Sequence, residues 1–201
     1  SSRVVRGVAI GSDGPVYSVF VAHNFPIETL EAVIADPASL TSVNLARVLF
    51  AGVLKRSPTL LETAMPNVAD ELQGRLLIGN QAMAYRMAHS SDGTKYWDFG
   101  QVWKDWTGLP FVYAVWVIRR GIAHENEIAE AFRELAQRGL QQREWIAAQA
   151  HEFGRELALR YLTENIRFVL GNPEMEGLHR FRMELEYLGV LPGNRTPIEF
   201  V

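Results

Sequence analysis

Hydroxyls, glycines and backbone amides, rather than clusters of charge, are the groups of this chain whose spacing could do chemistry. Gly11-Ser12-Asp13-Gly14-Pro15-Val16-Tyr17-Ser18 is a turn with two glycines that exposes backbone N–H groups and delivers a serine near a strand start. On residue type alone it reads as a plain turn, with a substrate-facing serine as the alternative. Ser39-Leu40-Thr41-Ser42 stands at a predicted helix N-terminus, where hydroxyls and unpaired amides meet the positive end of the helix dipole. Such a place suits a carboxylate or phosphate; simple N-capping is the competing reading. Ile78-Gly79-Asn80 is a strand-to-helix junction, where open α/β sheets tend to bind ligands, and is otherwise only a turn. Trp103-Lys104-Asp105-Trp106-Thr107-Gly108-Leu109-Pro110-Phe111 reads as a polar-aromatic loop feeding a strand. Its two tryptophans can wall a ligand or form a satellite core over which the lysine snorkels.

Other chemistries find little support. The chain has no cysteine, which removes disulfides, thiolate nucleophiles and Cys-based zinc sites and fits a reducing compartment. His23, His89, His124, His151 and His179 have no metal-ligand spacing, read as surface residues, and nominate no catalytic triad. No phosphate-binding loop, dinucleotide fingerprint, His-Glu-x-x-His or internal repeat occurs. A net charge of −3 with acids and bases interspersed lacks the footprint of a nucleic-acid or anionic-membrane binder, so an anionic ligand has to be held locally. Glu130 with Arg133 and Glu134 with Arg138 are spaced as solvated helix-surface pairs. No signal peptide is visible, and the apolar stretch Leu109 to Ile118 is far short of the ~20 residues that cross a bilayer.

The elements that must position these groups are strands alternating with helices, then helices alone. With 201 residues and 48% hydrophobic content, the chain can bury one large core or two small ones. Val16 to Ala22 and Ala32 to Ala35 read as strands, the second bounded by Asp36-Pro37. From Thr41 the apolar residues Val43, Leu45, Ala46, Leu49, Val53 and Leu54 recur at helical spacing, with Ser39, Thr41 or Ser42 as N-cap and Lys55-Arg56 in the last turn. Arg75 to Gly79 reads as a strand running straight into a helix, Asn80 to Met87, and that order suggests a parallel sheet. Pro110 to Ile118 is nearly continuous in β-branched and aromatic residues, as expected of a central strand buried on both faces. After Gly121 the spacing is helical, through Ile128, Phe132 and Leu135, then Trp145 to Leu157, Tyr161 to Leu170 and Leu178 to Leu188, punctuated by Gly139, Gly171-Asn172-Pro173 and Gly189. Those helices need a sheet to cover, and the strand-like opening makes the chain look cut at its start.

In order, SDGPVYSV (residues 12–19), SLTSV (39–43), LLIGN (76–80) and WKDWTGLPFVYAVW (103–116) resemble the landmarks of the chorismate dehydratases of the futalosine route to menaquinone. The last motif is the longest and most specific, and the resemblance runs from about Val8 to about Leu188. It implies an α/β chain with the two-lobed fold of type II periplasmic binding proteins, from which the N-terminal part of the first lobe is absent. On that pattern residues 1–15 are the crossover from the first lobe. Residues 16–110 are the second α/β lobe, and 111–201 are the return strand with the C-terminal helices of the first lobe.

The implied reaction is a lyase step, loss of water from chorismate to give 3-(1-carboxyvinyloxy)benzoate, in a cytoplasmic enzyme without cofactor or metal. Ser18 matches the family's active-site serine. Gly14 matches the turn before it, and Ser39, Thr41 and Ser42 its carboxylate-holding helix start. Asn80 stands where the family has an aspartate, Thr107 and Gly108 match the loop lining the cleft, and Phe111 is an apolar wall. No residue matches a general base, which leaves a carboxylate of the substrate as the candidate. Asp36-Pro37-Ala38 departs from the family's Gly/Ser/Thr-rich approach to Ser39. The family's catalytic asparagine belongs to the absent start, and Asn24 has neither the motif nor the position to replace it, so the chain alone is expected to be inactive. The implied partner is a small molecule, with no nucleic acid and no membrane, and a homodimer is the assembly to test. The competing readings are a solute-binding protein for a small carboxylate and a paralogous enzyme acting on a later pathway intermediate.

Overall fold

The computed structural model describes residues 2–35, 39–63, 69–193 and 197–201. Asp36-Pro37-Ala38, the departure noted above, lies outside them. The chain divides into two compact units, Gly14–Gly108 and the pair of segments Ser1–Asp13 and Leu109–Val201.

The Gly14–Gly108 unit is built on five strands. Strands β2 (Val19–His23), β3 (Ala32–Ala35), β4 (Thr59–Leu61), β5 (Gln73–Ile78) and β6 (Lys95–Asp98) stand in the order β4-β3-β5-β2-β6. β3 pairs in parallel with β4 and β5, whereas β2 runs antiparallel to both of its neighbours. The sheet is therefore mixed, not the purely parallel one suggested by strand-then-helix order, because β2 arrives from a turn and not from a crossover helix. Helices α1 (Leu40–Leu49, prolonged by a wide turn to Leu54), α2 (Gly79–Ala88) and α3 (Phe99–Thr107) begin after β3, β5 and β6. Period-two alternation splits the sheet's side chains between its faces. Phe20, Ala22 and Tyr96 pack with Ala82 and Tyr85 of α2, while Trp97, next along β6, meets Phe50 at the end of α1.

The segment read as a polar-aromatic loop is largely helix α3. The signals for it were present: Asp98 and Gln101 have the N-cap and N3 spacing of a capping box, and Gly108, at φ +73°, closes the helix in the left-handed conformation. Trp103 is fully buried and meets Trp106 edge to face, and Lys104 donates its ammonium to the Gly108 carbonyl, so the tryptophans belong to a core.

In the other unit β1 (Ser2–Ser12) pairs antiparallel with β7 (Phe111–Arg119), and the backbone of Glu199 and Val201 bonds along β1 at Val4 and Arg6. The long apolar run of β7 is thus one of two ladder strands, not a central strand of a larger sheet, and its Val117 is 57% exposed. Two register shifts in the ladder change which side chains face which way. Helices α4 (Glu125–Gln141), α5 (Arg143–Ala148), α6 (Arg155–Arg160) and α7 (Asn172–Tyr187) complete the unit. α7 packs Met175 and Leu178 on Ala9 and Val112, and α4 packs Ala129 and Phe132 against Val5 and Ile118. α4 runs through Gly139, which was expected to interrupt it, at a helix-interior cost of ~1 kcal/mol. The helix expected over Tyr161 to Leu170 ends at Asn165; beyond it Arg167 exchanges backbone hydrogen bonds with Gly11 at 2.8 and 2.9 Å.

Gly177 lets α7 lie directly on the start of β7, for a Cβ there would stand 2.0 Å from the Pro110 carbonyl oxygen. Backbone cannot yield as a side-chain tip can. Gly177→Ala is expected to cost ~1–3 kcal/mol, read as a lower thermal midpoint; an unchanged midpoint would contradict the close packing.

Candidate active site

Register places Ser18 and the starts of α1, α2 and α3 at one edge of the sheet of the Gly14–Gly108 unit. Ala35 at the end of β3 pairs with Leu76, Ile78 at the end of β5 pairs with Val19, and Asp98 at the end of β6 pairs with Phe20. The carboxyl ends of three mutually parallel strands therefore lie beside the start of β2, and a helix begins at or shortly after each of them. This edge is where open α/β sheets place their ligands.

The start of β2 is held in an unusual shape. Tyr17 has φ +67°, a left-handed conformation that costs a non-glycine residue roughly 1–2 kcal/mol. Asp98 supports it: Oδ1 accepts the Val16 amide at 3.0 Å and Oδ2 the Tyr17 amide at 2.8 Å, while Oδ1 also caps α3 through the Gln101 amide at 3.1 Å. Hydrogen bonds to a charged acceptor contribute about 1.5–3 kcal/mol each, so two of them outweigh the strained turn. Arg86 of α2 grips the same residue from its other side. Its guanidinium carbon sits 4.3 Å from the Tyr17 ring centre, 4.6 Å from Tyr96 and 5.4 Å from Phe20, and Nη1 donates to the Tyr17 carbonyl at 3.3 Å. Burial pushes the Tyr96 phenol above its usual range, the Asp92 charge adding to the shift and Arg86 opposing it, so that ring stays neutral beneath the cation. Asp92 is itself held down to about 2, first by the Thr94 hydroxyl and then by His89.

Ser18 follows directly and is 2% exposed. Its carbonyl accepts the Gly79 amide at 2.7 Å, satisfying the first N–H of α2. Gly79 takes φ +64°, which glycine adopts without strain and which turns the chain from β5 into α2. Neither Ile78 before α2 nor Ser39 before α1 caps its helix with a side chain. Two helix N-termini without an N-cap side-chain bond thus stand at this edge, the kind of place that suits an anion.

The other residues singled out from the sequence fall as follows. Gly14 is buried in the turn at φ +118°. Ser39 is the N-cap of α1, Thr41 and the buried Ser42 lie in its first turn, and Asn80 is exposed in the first turn of α2. Thr107 and Gly108 close the far end of α3, whose nine residues span roughly 13 Å from the Asp98 end. There the Thr107 hydroxyl bonds back to the Trp103 carbonyl at 2.7 Å. Phe111 belongs to the other unit, buried against Tyr113 and Phe181. Asn24 follows the last residue of β2, at the opposite sheet edge from Ser18, and lines a polar cleft of about 280 Å³ with Gln73 and Arg75. Asp98 and Arg86 were not singled out from the sequence; the capping-box spacing could have drawn attention to the first. Among the described residues, no group of three or more histidine and acidic side chains is placed to hold a metal ion.

A family model described as menaquinone biosynthesis matches residues 1–187. This chain belongs to the menaquinone biosynthesis family. It is similar to the chorismate dehydratase of Thermus thermophilus, 30% identical over 185 residues that cover 84% of this chain and 68% of the relative. Its fold is similar to that of a protein from Archaeoglobus fulgidus known by crystallography, with a TM-score of 0.69 at 17% identity over 94% of this chain and 74% of that one. Among solved structures, this chain's α/β architecture is thus matched over nearly its whole length. No described helix is long and apolar enough to cross a membrane.

Arg86 carries a testable part of this geometry. Arg86→Met keeps the stem but removes both the cation over three rings and the donor to Tyr17, and is expected to lose ~1–3 kcal/mol in urea denaturation. Arg86→Lys should recover only part, having no planar guanidinium to lie on the rings. Full stability of the Met variant would mean that the cage does not hold the turn.

Proposed function

We propose that the protein is a chorismate dehydratase, a lyase that removes water from chorismate to give 3-(1-carboxyvinyloxy)benzoate on the futalosine route to menaquinone. The observation that carries this reading is the convergence, on one sheet edge, of the buried Ser18 with two helix N-termini that no N-cap side chain closes. Chorismate is a dianion, and such an edge offers two places suited to carboxylates beside a hydroxyl. The likeness to the Thermus thermophilus enzyme adds support. So does the strand order, in which one antiparallel strand lies among parallel ones, the arrangement expected of a lobe of a type II periplasmic-binding-protein-like fold.

In the reaction a ring C–H bond and the neighbouring C–OH bond break, a ring double bond forms, and proton and hydroxyl leave as water. Aromatisation supplies the driving force, so the protein's task is to hold the substrate's conformation and stabilise developing charge. Ser18 is assigned as the catalytic hydrogen-bonding group, and Ser39, Thr41, Ser42 and Asn80 as groups that hold carboxylate. Gly14 gives the turn its shape, and a carboxylate of the substrate takes the proton. A cytoplasmic location and a homodimeric assembly are proposed with this reading.

The test is to incubate the full-length gene product with chorismate and follow product by mass and ultraviolet absorbance. A species lighter by one water and newly aromatic is expected, and Ser18→Ala should lower kcat by ~10²–10³-fold, the scale for removing one hydrogen-bond donor to a developing charge. Chorismate that raises the thermal midpoint yet is never consumed would replace the enzyme with a binding protein for small carboxylates.

A further inference from the structure

Among the described residues, Asp98 is the one acidic group of the Gly14–Gly108 unit found buried, at 9% exposure, and its hydrogen bonds go to backbone amides and to no cation. Its oxygens are spent on backbone. Two of the three amides it accepts belong to consecutive residues, Val16 and Tyr17, and the second of these sits in the left-handed region immediately before Ser18. A carboxylate used only to start α3 would need the Gln101 amide alone. The additional pair of bonds ties the α3 N-terminus to the turn that carries the serine, and Arg86 secures that turn from α2 through the Tyr17 carbonyl and ring. The Ser18 carbonyl, in turn, bonds to the first amide of α2.

We propose that Asp98 is a positioning residue: by accepting the Val16 and Tyr17 amides it fixes the left-handed turn that sets Ser18 against the N-terminus of α2. The proposal rests on the catalytic assignment of Ser18 made above. Its chemistry singles out one bond. In Asp98→Asn the amide oxygen can still accept the Val16 and Gln101 amides, but the –NH2 group then faces the Tyr17 N–H, donor against donor. The helix cap survives while the turn loses its second anchor.

The experiment is a double-mutant cycle in the full-length protein, with kcat, KM and thermal midpoint measured for each variant. Asp98→Asn is expected to lower kcat by ~10-fold or more with KM changed less than ~3-fold, and to cost less than ~2-fold when added to Ser18→Ala, since residues acting as a unit are not additive. An equal loss in both backgrounds would overturn the proposal. Tyr17→Gly is the second variant, because glycine takes φ +67° without an anchor: added to Asp98→Asn it should raise kcat, and no gain would count against the turn as the target. Should the unmutated protein leave chorismate untouched, the functional reading falls by itself, and amide exchange decides the positioning. Faster exchange at Val16 and Tyr17 in Asp98→Asn, by ~10-fold or more, upholds it; unchanged protection overturns it.

Discussion

Tyr17 would relax out of its left-handed conformation were its amide not met by a carboxylate 81 residues further along the chain. Much of the candidate site's geometry follows from that constraint. Because Asp98 is both the last residue of β6 and the N-cap of α3, whatever it holds is registered to the sheet and to a helix axis together. β2 leaves the turn at a fixed angle, its Val19 falls opposite Ile78, and the Ser18 carbonyl meets the first amide of α2. One buried side chain thereby does the aligning that a longer loop would need many contacts to achieve, with its polar atoms satisfied by backbone amides.

The two sides of that clasp differ in kind. Asp98 acts through directed bonds to amides, which specify torsion angles closely. Arg86 acts through the faces of three rings, which tolerate small shifts while excluding water from the far side of the turn. On the proposed reading, the edge beside Ser18 meets carboxylates with hydroxyls and helix amides, fixed dipoles that need no reorganisation as charge moves.

Sequence reading went furthest where the signal was local. Ala32–Ala35 was legible as a strand from its apolar run, α1 from its 3.6-residue spacing, and the β5–α2 junction from Gly79. It failed where partners are distant. The direction of β2 depends on strands β5 and β6, which no property of Val19–His23 announces, and the ladder of β7 shares its apolar composition with any central strand. α3 was hidden by its tryptophans, whose aromatic density suggested a ligand loop although Asp98 and Gly108 marked both helix ends. Ser18 was proposed from its motif, whereas Asp98 and Arg86 acquire meaning only when the fold brings residues 17, 86 and 98 together.

The antiparallel strand also sets an order of events on the ribosome. β2 is the first strand of its unit to be synthesised, yet it hydrogen-bonds only to β5 and β6, the last two. β3, β4 and β5 can assemble with one another as they emerge, while Val19–His23, whose first four residues are all buried in the finished sheet, waits with both edges open until β5 has been made and with one edge open until Asp98 has been made. An unpaired apolar strand is a template for wrong pairing. The nascent unit is thus most exposed to misassembly between the synthesis of residues 23 and 78, and the pairing of β2 with β5 and then β6 is a non-local step of the kind that slows folding.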